Sequence, residues 1–195
     1  DAPSLNPTIF TITGWIYWNG GGEPIQNIVS KMNYPIEGYR LFYYSDGKVR
    51  LSVGNGAGDM YVETASGTLP ITAWTHVGGV YDGSSLKIYL NGAEASSAPM
   101  TGSLAPAERP LTVGSYAGSS EFVSGMLDEV RLYSYALTTE QMYAEYQKGF
   151  APVSHWKLDD GGGLIAREES ENRNDGQLFG PLWRSGSACA LGGCL

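Results

Sequence analysis

Cysteine is nearly absent: there are two in 195 residues, Cys189 and Cys194, both in the closing ACALGGC. Two thiols cannot supply the four ligands of a structural zinc site, and the two histidines, His76 and His155, lie far from them in sequence. The spacing suits a disulfide closing a small loop over Leu191, Gly192 and Gly193, with a chain-entropy contribution of about 2 kcal/mol; two free thiols are the alternative. A bridge fits an extracellular or periplasmic setting. Positive charge is scarce as well. Twelve Lys and Arg stand against twenty Asp and Glu, a net charge of -8, which argues against nucleic acid because phosphate binding needs clustered cations. No apolar run approaches the roughly 18 residues of a membrane span, so membrane insertion is not expected. The N-terminus lacks a signal-peptide pattern, so a secreted form is expected to have lost its leader already.

What the chain has in quantity is glycine and aromatic rings: 27 Gly, 13 Tyr and 5 Trp, with only 16% charged residues. That balance favours a turn-rich all-β chain, and the length suffices for one domain with a substantial core. The stretch WTHVGGVYDGSSLKIYLNG, residues 74–92, organises the rest. Leu86, Ile88 and Leu90 alternate with Lys87 and Tyr89, the period of a strand with one face buried. Asp82-Gly83 and Asn91-Gly92 are turn dipeptides that tolerate positive φ. Further strands are predicted at 10–18, from Ile28-Val29, at 60–64, near Ala93, at 111–113 and at 122–133. A hairpin is expected from 39–45 and 48–53 around Asp46-Gly47. One short helix is predicted over 138–148, capped by Thr138 with Gln141 as the other half of a capping box, and with Leu137, Met142 and Tyr146 facing inward. Strand structure resumes over 153–158, followed by an acidic, Asn-rich loop at 168–175 and a last strand pair before the cysteines.

FTITGW, WTHVGGVYDGSSLKIYLNG, LTVGS and FVSGMLDEVRLYSYALTTEQM occur here in the order seen in concanavalin A-like jelly rolls of the laminin-G-like type. The resemblance covers residues from about 5 to 150, and it implies two antiparallel sheets packed face to face, one of them concave. The tail also resembles this family, but its opening: WKLDDGGG, NRNDGQL and ALGGCL look like the first strands of such a domain. The whole chain, 1–195, is therefore expected to form a single laminin-G-like β-sandwich, with 1–150 as its main part and 151–195 resembling its opening strands. A chain permuted in this way, or cut from a tandem array, leaves a sheet edge incomplete, which invites strand addition by another copy.

Chemistry is sparse. Glycan-cleaving enzymes on this fold set two or three carboxylates on one strand face, with about 5 to 9 Å between the carboxyl groups. No Glu-x-Asp-x-x-Glu stretch occurs, and the adjacent Asp128 and Glu129 point to opposite faces. No nucleophile elbow is present and His76 reads as structural, so no catalytic residues are expected. The resemblance implies a structural calcium shared between the loop before the Asp-Gly strand and the Asp of the Asp-Glu-Val strand. That names Asp128, Glu168 and Asn172, with Asp175, as oxygen ligands, although the family usually has Asp where Glu168 stands. Aromatics on a concave sheet imply sugar stacking, with candidates Trp18, Tyr39, Tyr43, Tyr44 and Tyr61 and polar partners Arg40, Asn55 and Asp59. The expected function is a non-catalytic recognition or adhesion module, extracellular or at the cell surface, binding a glycan or an extracellular protein. The alternative is a structural subunit of a cell-surface filament assembled by exchange of strands or terminal segments.

Overall fold

The computed structural model describes residues 3–100 and 102–149, and beyond them only the backbone of four two-residue strands. The chain divides into two compact units, Asp1–Gln147 and Lys148–Leu195. Ten strands and one helix belong to the first: β1 (Phe10–Trp18), β2 (Ile25–Asn33), β3 (Glu37–Tyr44), β4 (Val49–Gly54), β5 (Asp59–Glu63), β6 (Trp74–Tyr81), β7 (Ser85–Leu90), β8 (Ala93–Pro99), β9 (Thr112–Val113), β10 (Gly125–Tyr133) and α1 (Thr139–Lys148). In the second unit, β11 (Ile165–Ala166) pairs with β12 (Gly176–Gln177), and β13 (Arg184–Ser185) pairs with β14 (Gly193–Cys194).

Two five-stranded antiparallel sheets make a jelly-roll sandwich. Their orders are β10-β1-β6-β7-β8 and β5-β4-β3-β2-β9. The stretch singled out in the sequence supplies β6 and β7, and β6 is the middle strand of the first sheet. The inner faces follow the period of two. Phe10, Ile12, Ile16, Val77, Leu86 and Ile88 from the first sheet share one core with Leu41, Val49, Leu51, Val53 and Val62 from the second. The sheets meet closely where β6 carries glycine: a Cβ on Gly79 would lie 3.1 Å from Leu51 Cδ1 and 3.2 Å from Leu41 Cδ1. This is the interdigitation that removes apolar surface from water at native packing density.

The helix closes the outer face of the first sheet. Thr138 and Gln141 exchange the two bonds of the capping box, Thr138 N–H to Gln141 Oε1 at 2.9 Å and Gln141 N–H to Thr138 Oγ1 at 3.3 Å. Met142 and Leu137 pack with Val80 and Tyr89 in a second small core. Tyr146 stacks on Trp15 with ring centroids 5.7 Å apart. Glu145 is buried there too, which the apolar pattern of the helix did not disclose; it faces Arg131 at 3.6 Å. In the sequence, β8 read as a short strand near Ala93, yet it runs to Pro99, because β7 offers it a full ladder. The predicted strand at 122–133 begins only at Gly125, since Glu121 and Phe122 bond their N–H groups to the Glu23 carboxylate.

Candidate functional site

On β3 the alternation is strict. Tyr39, Leu41 and Tyr43 belong to the core, so Arg40, Phe42 and Tyr44 stand on the outer face of the second sheet. Register extends that face across its neighbours. Arg40 pairs with Ser30 of β2 and Ser52 of β4, and Ser52 pairs with Tyr61 of β5. Phe42 pairs with Asn27 and Arg50, and Arg50 with Glu63. A bulge between Asn27 and Val29 lets Asn27 point outward while Val29 joins the core.

Rings and guanidiniums interleave along this face. The Arg50 guanidinium carbon sits 3.5 Å from the Tyr61 ring centroid and 5.8 Å from that of Phe42. Arg40 lies 4.2 Å from the other end of the row at Phe42, 5.0 Å from Tyr34 and 5.8 Å from Tyr116. Such stacking is favourable because the ring faces carry negative potential. It also explains how Phe42 is buried while facing outward: two guanidiniums cover it.

Carboxylates hold the cations in place. Arg50 donates to Asp59 Oδ2 at 2.5 Å and to the Tyr44 hydroxyl at 3.1 Å. Arg40 lies 3.3 Å from Glu121 Oε2, which also accepts from Asn27 Nδ2 at 2.5 Å. Lys48 reaches Glu63 at 3.1 Å. Burial raises the Asp59 pKa, and the Arg50 charge offsets this only in part. Two buried polar atoms on this one face have no hydrogen-bond partner among the described residues, Asn27 Oδ1 and Arg40 Nε, while the Asp59 carboxylate is held by Ser52 as well as by Arg50. Asn27 is fully buried and Arg40 is 6% exposed. Orphaned groups of this kind cost free energy unless something outside the chain satisfies them. Beside them, Tyr61 and Tyr34 are about half exposed, at 48% and 53%.

The structure thus brings together Arg40, Tyr44, Asp59 and Tyr61 from the sequence-predicted set. It corrects the placement of the others. Trp18, Tyr39 and Tyr43 are core residues that offer no ring face to solvent. The Tyr43 hydroxyl donates to Gln26 Oε1 at 2.9 Å, and that of Tyr39 to the Leu5 carbonyl at 2.9 Å. Both sit on the inward parity of β3. Asn55 Oδ1 accepts the N–H groups of Ala57 and Gly58, which makes it a turn-forming residue. Sequence reasoning missed Phe42 and Arg50, although the parity set by Leu41 and Leu51 points to both. It also missed Asn27, Tyr34, Tyr116 and Glu121, which local sequence does not connect to this sheet.

Of the proposed calcium ligands, Glu168, Asn172 and Asp175 lie outside the described residues. Asp128 is exposed, and its Oδ1 accepts the N–H of Glu129 at 2.8 Å. Among the described residues no group of three His, Cys, Asp or Glu is placed to hold a metal ion. The side chains of Cys189 and Cys194 likewise lie outside the described residues.

A family model described as the concanavalin A-like lectin/glucanases superfamily, of laminin-G type, matches residues 1–142. No curated protein matches the sequence. Similar solved structures include the Ruminococcus gnavus IT-sialidase CBM40 bound to alpha2,3 sialyllactose, with TM-score 0.58 and 15% identity over 73% of this chain and 84% of that one. The binding domain of Paraclostridial Mosquitocidal Protein 1 is similar at TM-score 0.62 and 15% identity, over 82% of this chain and 42% of that one. Domains LG4-5 of the mouse laminin alpha1 chain match at TM-score 0.53 and 19% identity, over 68% of this chain and 38% of that one.

Proposed function

Because this chain belongs to the concanavalin A-like lectin/glucanases superfamily, we propose that it is a non-catalytic carbohydrate-binding module that works outside the cell and takes its ligand on the outer face of the β5-β4-β3-β2-β9 sheet. The observation that carries this reading is the coincidence, on one face, of half-exposed rings with buried polar atoms that lack protein partners. Sugars present both matching features: C–H faces that stack on rings, and hydroxyls that donate and accept at once. Similarity to a CBM40 bound to sialyllactose supports a glycan rather than a peptide. No described helix is long and apolar enough to cross a membrane.

The non-catalytic part of the reading rests on the carboxylates of this face. Asp59, Glu63 and Glu121 each face a cation within 3.3 Å, which suits a rigid platform better than a free general acid or nucleophile.

The test compares retention on immobilised glycans for the protein and for Tyr61→Ala. Truncating a stacking ring at the centre of a contact typically costs more than about 1 kcal/mol, roughly a fivefold or greater loss of affinity. Thermal stability should fall by no more than the lost Arg50 stack is worth, about 1 kcal/mol at a half-exposed ring. Undiminished binding by the variant would move the site elsewhere. Release of reducing ends from a polysaccharide panel would overturn the non-catalytic assignment.

A further inference from the structure

We propose, building on the glycan-binding reading above, that this face selects an uncharged glycan and discriminates against glycans bearing a carboxylate or sulfate. Its cations are already neutralised at contact distance: Arg50 by Asp59 at 2.5 Å, Lys48 by Glu63 at 3.1 Å and Arg40 by Glu121 at 3.3 Å. At contact distance three cations meet three carboxylates, and with Arg109 and Glu23 at the rim the face carries four groups of each sign, so it holds no surplus positive charge to draw an anion. The whole chain, at a net charge of -8, adds a repelling field. At the rim, Arg109 donates to the Met32 carbonyl and the Tyr116 hydroxyl. Glu23 adds a further carboxylate beside Glu121, whose N–H it accepts at 2.7 Å.

The partnerless atoms specify the same chemistry. Glu121 fixes the orientation of Asn27, because a carboxylate accepts only from the amide N–H, and this leaves Asn27 Oδ1 as a buried acceptor without a partner just beneath the face. Arg40 Nε is a donor without a partner, beside the Asp59 carboxylate that Arg50 and Ser52 hold. Sugar hydroxyls satisfy both kinds together. A ligand carboxylate or sulfate accepts only, so it can serve Arg40 Nε but brings a second negative charge against Asp59 and Glu121. Like-charge juxtaposition in a partly buried site is a strong discriminator.

The experiment is a titration of the intact chain against matched probes that differ only in charge, lactose with 3′-sialyllactose and neutral with sulfated or uronate oligosaccharides on one array. The neutral member of a bound pair should be preferred by at least about tenfold. Its affinity should vary less than about twofold between roughly 50 and 500 mM salt, because no net ion pair forms with the ligand. Glu121→Gln, which keeps an acceptor for Asn27 but frees Arg40 from its counter-charge, should narrow the preference. A wild-type preference for the acidic members, weakened steeply by salt, overturns the inference while leaving the glycan-binding reading standing. So does a neutral-to-acidic ratio that Glu121→Gln leaves unmoved. Binding to neither class rejects the glycan reading and this inference with it.

Discussion

Gly38 illustrates how single positions hold the site in place. It lies on β3 opposite Met32, at φ +82, and a Cβ there would come within 1.9 Å of the Lys31 carbonyl oxygen. Its N–H donates to the Ala105 carbonyl at 2.7 Å. An L side chain would meet both an unfavourable backbone region and a backbone clash that no rotamer relieves. Gly38→Ala is therefore expected to destabilise the fold by about 3 kcal/mol or more, read as a lower midpoint in chemical denaturation with an unchanged slope. A variant as stable as the wild type would mean that β3 can shift away from β2, and with it Arg40. The site residues are less legible than this glycine. Their identities are ordinary, and what distinguishes Asn27 and Arg40 is an atom without a partner, a property of three-dimensional neighbourhood.

Among the elements, α1 is the one whose local signals and tertiary role agree most fully. The Thr-x-x-Gln box read from the sequence forms both of its bonds, and Met142 fills the space above Gly78, where a Cβ would lie 2.6 Å from its Sδ. Removing the cap with Thr138→Ala is expected to cost about 1 kcal/mol, seen as a small fall in melting temperature. Gln141→Ala should give a smaller one, and a double variant no worse than Thr138→Ala would show the two bonds acting as a unit. The hairpin of β3 and β4 was equally legible, because Asp46-Gly47 is a strong turn and the flanking residues alternate. β8 was not, since Ala93–Pro99 is rich in small residues with no apolar period, and its strand state comes from pairing with β7. Choosing Tyr39 and Tyr43 as ligand platforms failed for a related reason: tyrosine suits either face of a strand, and only the partner sheet decides which.

At the scale of the molecule, two titrating groups among the described residues contribute to how stability responds to acid. Burial beside Trp15 lowers the His76 pKa to about 4 from 6.5, the Glu145 carboxylate raising it and the Arg131 charge lowering it further. The unfolded chain thus takes up a proton below 6.5 that the folded chain refuses until about 4. Stability from this residue is complete above pH 6.5 and is lost as the pH falls towards 4. Asp82 acts lower down. Burial pushes its carboxyl up, but hydrogen bonds from Ser84 and Ser85 outweigh this and hold it at about 2. Its contribution is complete above the ordinary carboxylate value and is lost as the pH falls from there to about 2. Melting temperature should decline in two stages, and His76→Gln should flatten the stage between 6.5 and 4 while leaving the lower one. An unaltered slope in that variant would assign the upper stage to other groups.

The sequence by itself determined the all-β class, the central β6-β7 stretch, most strand positions and the capped helix, because each follows from short-range physics: side-chain period, turn dipeptides and local capping bonds. It also narrowed the site residues to a set of rings and polar groups on the right strands. Only the tertiary structure decided which of them share a face. Strand parity relative to a second sheet sent Tyr39 and Tyr43 into the core and Arg40, Phe42 and Tyr44 out of it. Long-range pairing brought Glu121 and Tyr116 against β2 and β3. Charge neutralisation and unsatisfied hydrogen bonds are sums over neighbours from distant parts of the chain, and no single segment encodes such a sum.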